Sequence, residues 1–147
     1  LAIKEYDSLE DYQVAVGGYV EAIYAGDEGL SLFANEEAKL IGLQLNRRAT
    51  LLWQLQLHPT PPHDILGGDV VLVGPSDADG ATLDVPDAVQ RLLFTPSTYL
   101  VEVRVPGTGA WHPAPQVFSD YFEAIAWGLP VVQLEDGTAD LRIVASS

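Results

Sequence analysis

Apolar and polar positions recur along this chain with two periods, and the switches between them mark out its elements. In SLEDYQVAVGG (residues 8–18), Leu9, Tyr12 and Val16 fall at helical spacing. Ser8 is a capping residue with Asp11 three positions on, and Gly17 is a natural stop. YVEAIYA (19–25) reads as a strand, GDEG (26–29) as a turn and LSLFA (30–34) as a second strand, the two paired as a hairpin. NEEAK admits two readings: Asn35 caps a short helix whose first turn holds Glu36 and Glu37, or the segment is a tight connection into KLIGLQLN (39–46). RRATLLWQLQL (47–57) is ambiguous too. Leu51, Trp53, Leu55 and Leu57 alternate like a strand, but residues 47–52 equally suit a helical turn. HPTPPH (58–63) is a proline-stiffened loop, and GGDVVLVG (67–74) predicts an apolar, central strand. PSDADGATLDVP is an acidic turn, after which Pro86 opens a short helix over 87–94.

The last third changes character. YLVEVRV (99–105) sets Val101, Val103 and Val105 on one face against Glu102 and Arg104 on the other. PGTG turns it towards AWHPA. Asp120 caps a helix with Glu123 three residues on, and Phe118, Tyr121, Phe122, Ile125 and Ala126 supply its buried stripe. Gly128 and Pro130 end that helix. VVQLEDGTADLRIV then predicts a hairpin about Asp136-Gly137. The expected class is α+β: a mixed or antiparallel sheet with short helices over 1–94, and a two-layer β-β-α-β-β module over 95–147.

Composition narrows the function classes. Apolar residues make up 48% of the 147, enough for a core. No apolar run reaches the roughly 20 residues that span a bilayer, and no basic-then-apolar leader opens the chain, so a cytoplasmic location in a bacterial host is expected. The chain has no cysteine, which excludes disulfides, thiolate nucleophiles and zinc–sulfur sites. Twenty-one acidic residues face seven basic ones, a net charge of −14. Direct nucleic-acid binding and anionic membrane surfaces are therefore disfavoured, while basic protein partners and cations are permitted. The same charge also serves solubility alone.

Candidate chemistry is sparse. His58 and His63 are held in a proline-rigid loop with no cysteine partner, so a structural loop outweighs metal ligation. Asp77, Asp79 and Asp84 resemble part of a calcium loop but lack the third early ligand and a closing glutamate. GTGAWH (107–112) opens like a dinucleotide fingerprint but sits in a hairpin. No catalytic residue, metal site or cofactor follows from any motif. Glu36 and Glu37, adjacent in the chain, point in different directions and make a poor acid/base pair. Of the tryptophans, Trp127 belongs with the helix stripe. Trp111, after a turn and beside prolines, is the candidate aromatic contact.

Together, SLEDYQVAVGGYVEAI, NEEAKLIGLQLNRRAT and ILGGDVVLVGPSDADGATLDVP resemble the domain-of-unknown-function family three-eight-four-six, of actinobacterial and Firmicutes genomes, their phages and conjugative elements. The resemblance runs over about residues 1–93 and implies no particular activity. It implies a further strand before residues 1–7 in family members, and a glycine where Ala38 stands. A positive φ there costs a non-glycine residue roughly 1–2 kcal/mol, which favours a helical Ala38. Family-typical positions present are Gly17, Gly18, Asn35, Glu36, Glu37, Lys39, Asn46 and Asp69. The region after Thr95 lies outside the family pattern and looks like an appended module.

Three function classes follow. The leading one is a non-enzymatic accessory protein of a phage, mobile element or actinobacterial genome that binds a protein partner, with an acidic DNA mimic as one version. The second is a small-ligand sensor or enzyme with Asn35, Glu36, Glu37, Lys39 and Asn46 around a pocket. The third is an oligomer pairing through an exposed strand such as residues 99–105. The binding candidates are those five residues and Trp111.

Overall fold

In the computed structural model, which describes residues 1–24, 29–58, 64–107, 109–134 and 139–146, the first helix begins and ends where its signals lie. Ser8 Oγ accepts the Asp11 N–H at 3.3 Å, and Gly17, at φ 78°, closes α1 (Leu9–Val16) in the left-handed region that glycine adopts without strain. Asp11 turns back to accept the Asp7 N–H at 2.8 Å, one residue earlier than a standard capping box. The predicted hairpin forms from β1 (Val20–Tyr24) and β2 (Ser31–Asn35), antiparallel with Ala22 opposite Phe33. Most of its turn lies outside the described residues.

Two expectations for this region are corrected. The apolar segment expected at the sheet's centre is the short β3 (Val71–Val73), and it lies at an edge, because β2 takes the middle of the order β1-β2-β3. Residues 36–42 form successive turns rather than the favoured helix. Their bonds run Ala38 N–H to Asn35 O at 3.2 Å, Ile41 N–H to Glu37 O at 3.0 Å and Gly42 N–H to Lys39 O at 3.3 Å, with no continuous ladder. Burial in β2 alternates as strand geometry requires. Leu32 and Ala34 are buried on one face, and Phe33 on the other meets Tyr12 of α1 edge-on at 4.9 Å.

The ambiguous segment is a helix, α2 (Arg47–Leu57). Asn46 Oδ1 accepts the Ala49 N–H at 3.0 Å, satisfying a first-turn donor, and that start outweighs the strand-like alternation of Leu51–Leu57. A short helix α3 (Asp87–Phe94) follows Pro86 as predicted.

Contact density divides the chain into two units: Leu1–Thr50 with Asp64–Val85, and Leu51–His63 with Pro86–Ser147. The second unit holds β4 (Thr98–Arg104), β5 (His112–Phe118), α4 (Tyr121–Leu134) and β6 (Asp140–Ser146), with sheet order β5-β4-β6, all antiparallel. Both sheets being antiparallel, the class is α+β. Among the described residues the module runs β-β-α-β, the expected layout with one strand fewer. Gly128 and Pro130 do not stop α4, and Val131 and Val132 belong to it rather than to a strand. An interior proline costs a helix about 3 kcal/mol. Leu129 and Val132, both buried, recover about 1.5–3 kcal/mol each, and Pro130 itself is exposed. Gly128 sits where a Cβ would approach Val101 and Leu141 at 3.1 Å, so its smallness lets α4 lie close on the sheet. Asp120 caps the helix as predicted, accepting the N–H groups of Phe122 at 2.8 Å and Glu123 at 3.0 Å. Asp136 and Gly137 lie outside the described residues.

α4 covers all three strands of this sheet. Val101, Ala124, Ile125 and Val132 are fully buried, with Tyr99, Tyr121, Phe122 and Ile143 around them. β4 is the central strand, so residues 98–104 are not a free edge, contrary to the oligomer expectation. No described helix is long and apolar enough to cross a membrane.

Candidate functional site

Asn35, Asn46 and the residues between them form two knots. Asn35, only 5% exposed, donates from Nδ2 to Val16 O at 3.3 Å and accepts the Glu37 N–H at Oδ1 at 2.8 Å. That amide ties the end of α1 to the turn after β2. Gly18 leaves the space for it, since a Cβ there would lie 2.7 Å from Nδ2. Asn46 caps α2 through Oδ1 and donates from Nδ2 to Gly68 O at 2.9 Å. Its backbone N–H reaches Leu66 O at 2.8 Å, and Thr50 Oγ1 donates to Asn46 O at 2.7 Å while accepting the Leu66 N–H at 3.0 Å. Both amides therefore bond to backbone through their nitrogen and their oxygen. Glu36 and Glu37 are exposed, and Lys39 pairs with Asp64, both side chains more than half exposed.

The other sequence-marked groups also have local partners. Asp77 Oδ1 accepts the N–H groups of Asp79 and Ala81, each at 2.9 Å, which is the geometry of an acidic turn closed on its own backbone. Gly74 precedes it under a constraint: a Cβ would sit 2.0 Å from Asp84 O, so no other residue fits. His58 Nε2 lies 2.6 Å from Ala139 O. A carbonyl only accepts, so Nε2 carries the proton and offers no lone pair to a metal. His63 lies outside the described residues, and among those described no three His, Asp or Glu side chains gather as a metal site.

Trp111 is placed differently. The β4–β5 register pairs Val103 with His112, which brings Arg104 level with Trp111, and β6 sets Asp140 opposite Arg104 and Arg142 opposite Glu102. Residues two apart on a strand share a face. Since Val101 faces α4, Glu102 and Arg104 occupy the opposite face together with Asp140 and Arg142. There the Arg104 guanidinium carbon lies 4.6 Å from the Trp111 ring centre and that of Arg142 lies 4.2 Å from it. Asp140 Oδ2 accepts from Arg104 Nε at 3.0 Å and Nη2 at 2.8 Å, and Glu102 pairs with Arg142 at 3.3 Å. Two of the chain's seven basic residues thus stack on one indole, each oriented by a carboxylate. Val117, 60% exposed, is the β5 residue opposite Leu100 on this same face. Sequence reasoning singled out Trp111 as a candidate and did not mark its neighbours Arg142 and Asp140. Their alternation with Leu141 and Ile143 was the available signal.

Fold and site thus define an acidic α+β protein with an aromatic–guanidinium cluster on one sheet face. The family model "Domain of unknown function (DUF3846)" matches residues 1–96, and the chain belongs to that family. No curated protein and no solved structure matches the chain. The family match ends at 96, whereas compactness assigns α3 and residues 51–63 to the second unit.

Proposed function

We propose that this chain is a non-enzymatic accessory protein that binds a protein partner through the sheet face bearing Trp111, in the cytoplasm of a bacterial host or in the service of a phage or mobile element. The observation that carries the reading is the stack of Arg104 and Arg142 on Trp111. Tryptophan and arginine are the residues that most often dominate interface energies. Held by Asp140 and Glu102, the two guanidinium groups lose little freedom on binding, which removes part of the usual entropic cost. The neighbouring Val117 adds apolar area to the same face. Asn35 and Asn46, by contrast, have both amide nitrogen and amide oxygen tied to backbone, which favours a structural role for them.

The test is affinity capture from bacterial lysate with the full chain, its Trp111→Ala variant and a Glu36→Gln/Glu37→Gln control, read by quantitative mass spectrometry. A partner retained by the control and reduced at least about tenfold by Trp111→Ala supports the reading. A partner captured equally by all three places binding elsewhere. Truncation at residue 94 is a poor substitute, because it separates α3 from the Tyr99 hydroxyl that donates to Leu92 O at 3.1 Å.

A further inference from the structure

The first unit carries an aromatic surface that its fold does not use up. Tyr6, in a segment that is neither helix nor strand, stacks on Tyr12 at 4.8 Å between ring centres and 15° between planes, and Tyr12 meets Phe33 edge-on. Phe33 and Tyr12 join the sheet to α1, which explains that pair as packing. Tyr6 stands at the other end of this run of three rings and is half-buried, and Asp7 and Asp11 are linked beside it by the Asp7 N–H to Asp11 Oδ2 bond. We infer that the Tyr6–Tyr12 stack receives an arginine or lysine side chain from a basic segment of a protein partner, with Asp7 and Asp11 as its counter-charges.

Charge complementarity selects this occupant. The first unit holds fourteen of the twenty-one acidic residues against four of the seven basic ones, so its field favours cations. The Tyr12 hydroxyl is pushed above its ordinary range, first by burial and then by the neighbouring Tyr6, Asp11 and Asp7. A cation over the rings answers both features: the aromatic face attracts it, and the carboxylates neutralise it. Apolar and anionic partners gain from one feature at most. This surface stands apart from the reading of Trp111 and survives its failure, since the residues differ.

The test is titration of the intact chain with blocked hexa-arginine peptide, followed by calorimetry and by the ring resonances of Tyr6 and Tyr12. Tyr6→Leu leaves the charge unchanged and is expected to weaken binding about five- to tenfold. Tyr6→Phe keeps the ring and retains affinity, and Glu36→Gln/Glu37→Gln, which removes two charges from the same unit, changes it less than about twofold. Circular dichroism of each variant verifies folding. The assignment is overturned if Tyr6→Leu binds like the parent, if affinity follows charge removed irrespective of position, or if the peptide does not saturate. A concentration-dependent dimer that Tyr6→Leu dissolves would also overturn it, by showing a second copy as the occupant.

Discussion

The two units each build an antiparallel three-stranded sheet, yet they secure it by different means. In the first, Asn35, Asn46 and Thr50 bond to backbone groups from sixteen to twenty-two residues away, pinning turns to helix ends. In the second, a fourteen-residue helix lies across the sheet and the centre is entirely apolar, with Val101, Ala124, Ile125 and Val132 at 0% exposure. An amide network is directional and fails piecewise, because each bond serves one turn. An apolar layer is shared, so one deletion is felt throughout it. The charge divides in the same sense. The first unit has ten more acidic than basic residues and the second has four more.

The largest expected effect lies in the second unit. Ile125→Ala removes a fully buried side chain and is expected to cost about 2–5 kcal/mol. Hydrogen exchange by mass spectrometry then shows faster exchange in β4, α4 and β6 together. Asn35→Leu is the counterpart in the first unit. It strands Val16 O and the Glu37 N–H, for about 2–4 kcal/mol from two unsatisfied groups. Its exchange signature is confined to the end of α1 and residues 36–42. If the two variants give equally broad patterns, the contrast between the units collapses.

A pH series sharpens the same contrast, because Tyr121 belongs to the apolar layer. Burial, with Tyr99 beside it, pushes the Tyr121 hydroxyl up to about 12 from the ordinary 10. Below pH 10 both folded and unfolded chains keep this proton, and its contribution to stability is complete. Between 10 and 12 the unfolded chain releases the proton while the folded chain holds it, so stability falls as pH rises, by about 2–3 kcal/mol in all. Denaturant midpoints measured from pH 9 to 12 should show that slope, and Tyr121→Phe should flatten it.

Legibility in sequence followed the range of the interaction. The Ser8 and Asp120 caps, the Gly17 stop and the β1–β2 hairpin were readable because each signal lies within a few residues of what it controls. The end of α4 was misread because local breakers, Gly128 and Pro130, were overruled by burial of Leu129 and Val132. The turn after β2 was open because its choice rests on an amide reaching Val16, nineteen residues back. At the site, Trp111 was marked by its own neighbourhood. Arg142 was not, since its place beside Trp111 depends on β6 lying next to β4.

Asn46→Ala comes next in size. It removes a helix cap and one bond to Gly68 O, worth about 1–2 kcal/mol, and should be felt at the start of α2 and around residues 66–68. A urea titration of this variant beside Asn35→Leu measures how the two knots add; independent knots give summed losses within about 0.5 kcal/mol.

The smallest effect on stability carries the most information about function. Arg142→Gln removes an ion pair with Glu102 and one of the two stacked cations on Trp111. Arg142 is nearly half exposed, so solvent screening limits the pair, and the loss should stay within about 1 kcal/mol. The indole environment should nonetheless change, because Arg142 covers it at 4.2 Å, while Arg104 remains fixed by Asp140. Tryptophan fluorescence follows this change, and Trp53→Phe/Trp127→Phe leaves Trp111 as the sole reporter. A shifted spectrum with an unchanged urea midpoint means the cluster shapes a surface rather than supports the sheet, as a binding face requires. A fall in midpoint as large as that of Asn46→Ala would make Arg142 a structural member of the second unit, and would move the search for a partner to the acidic first one.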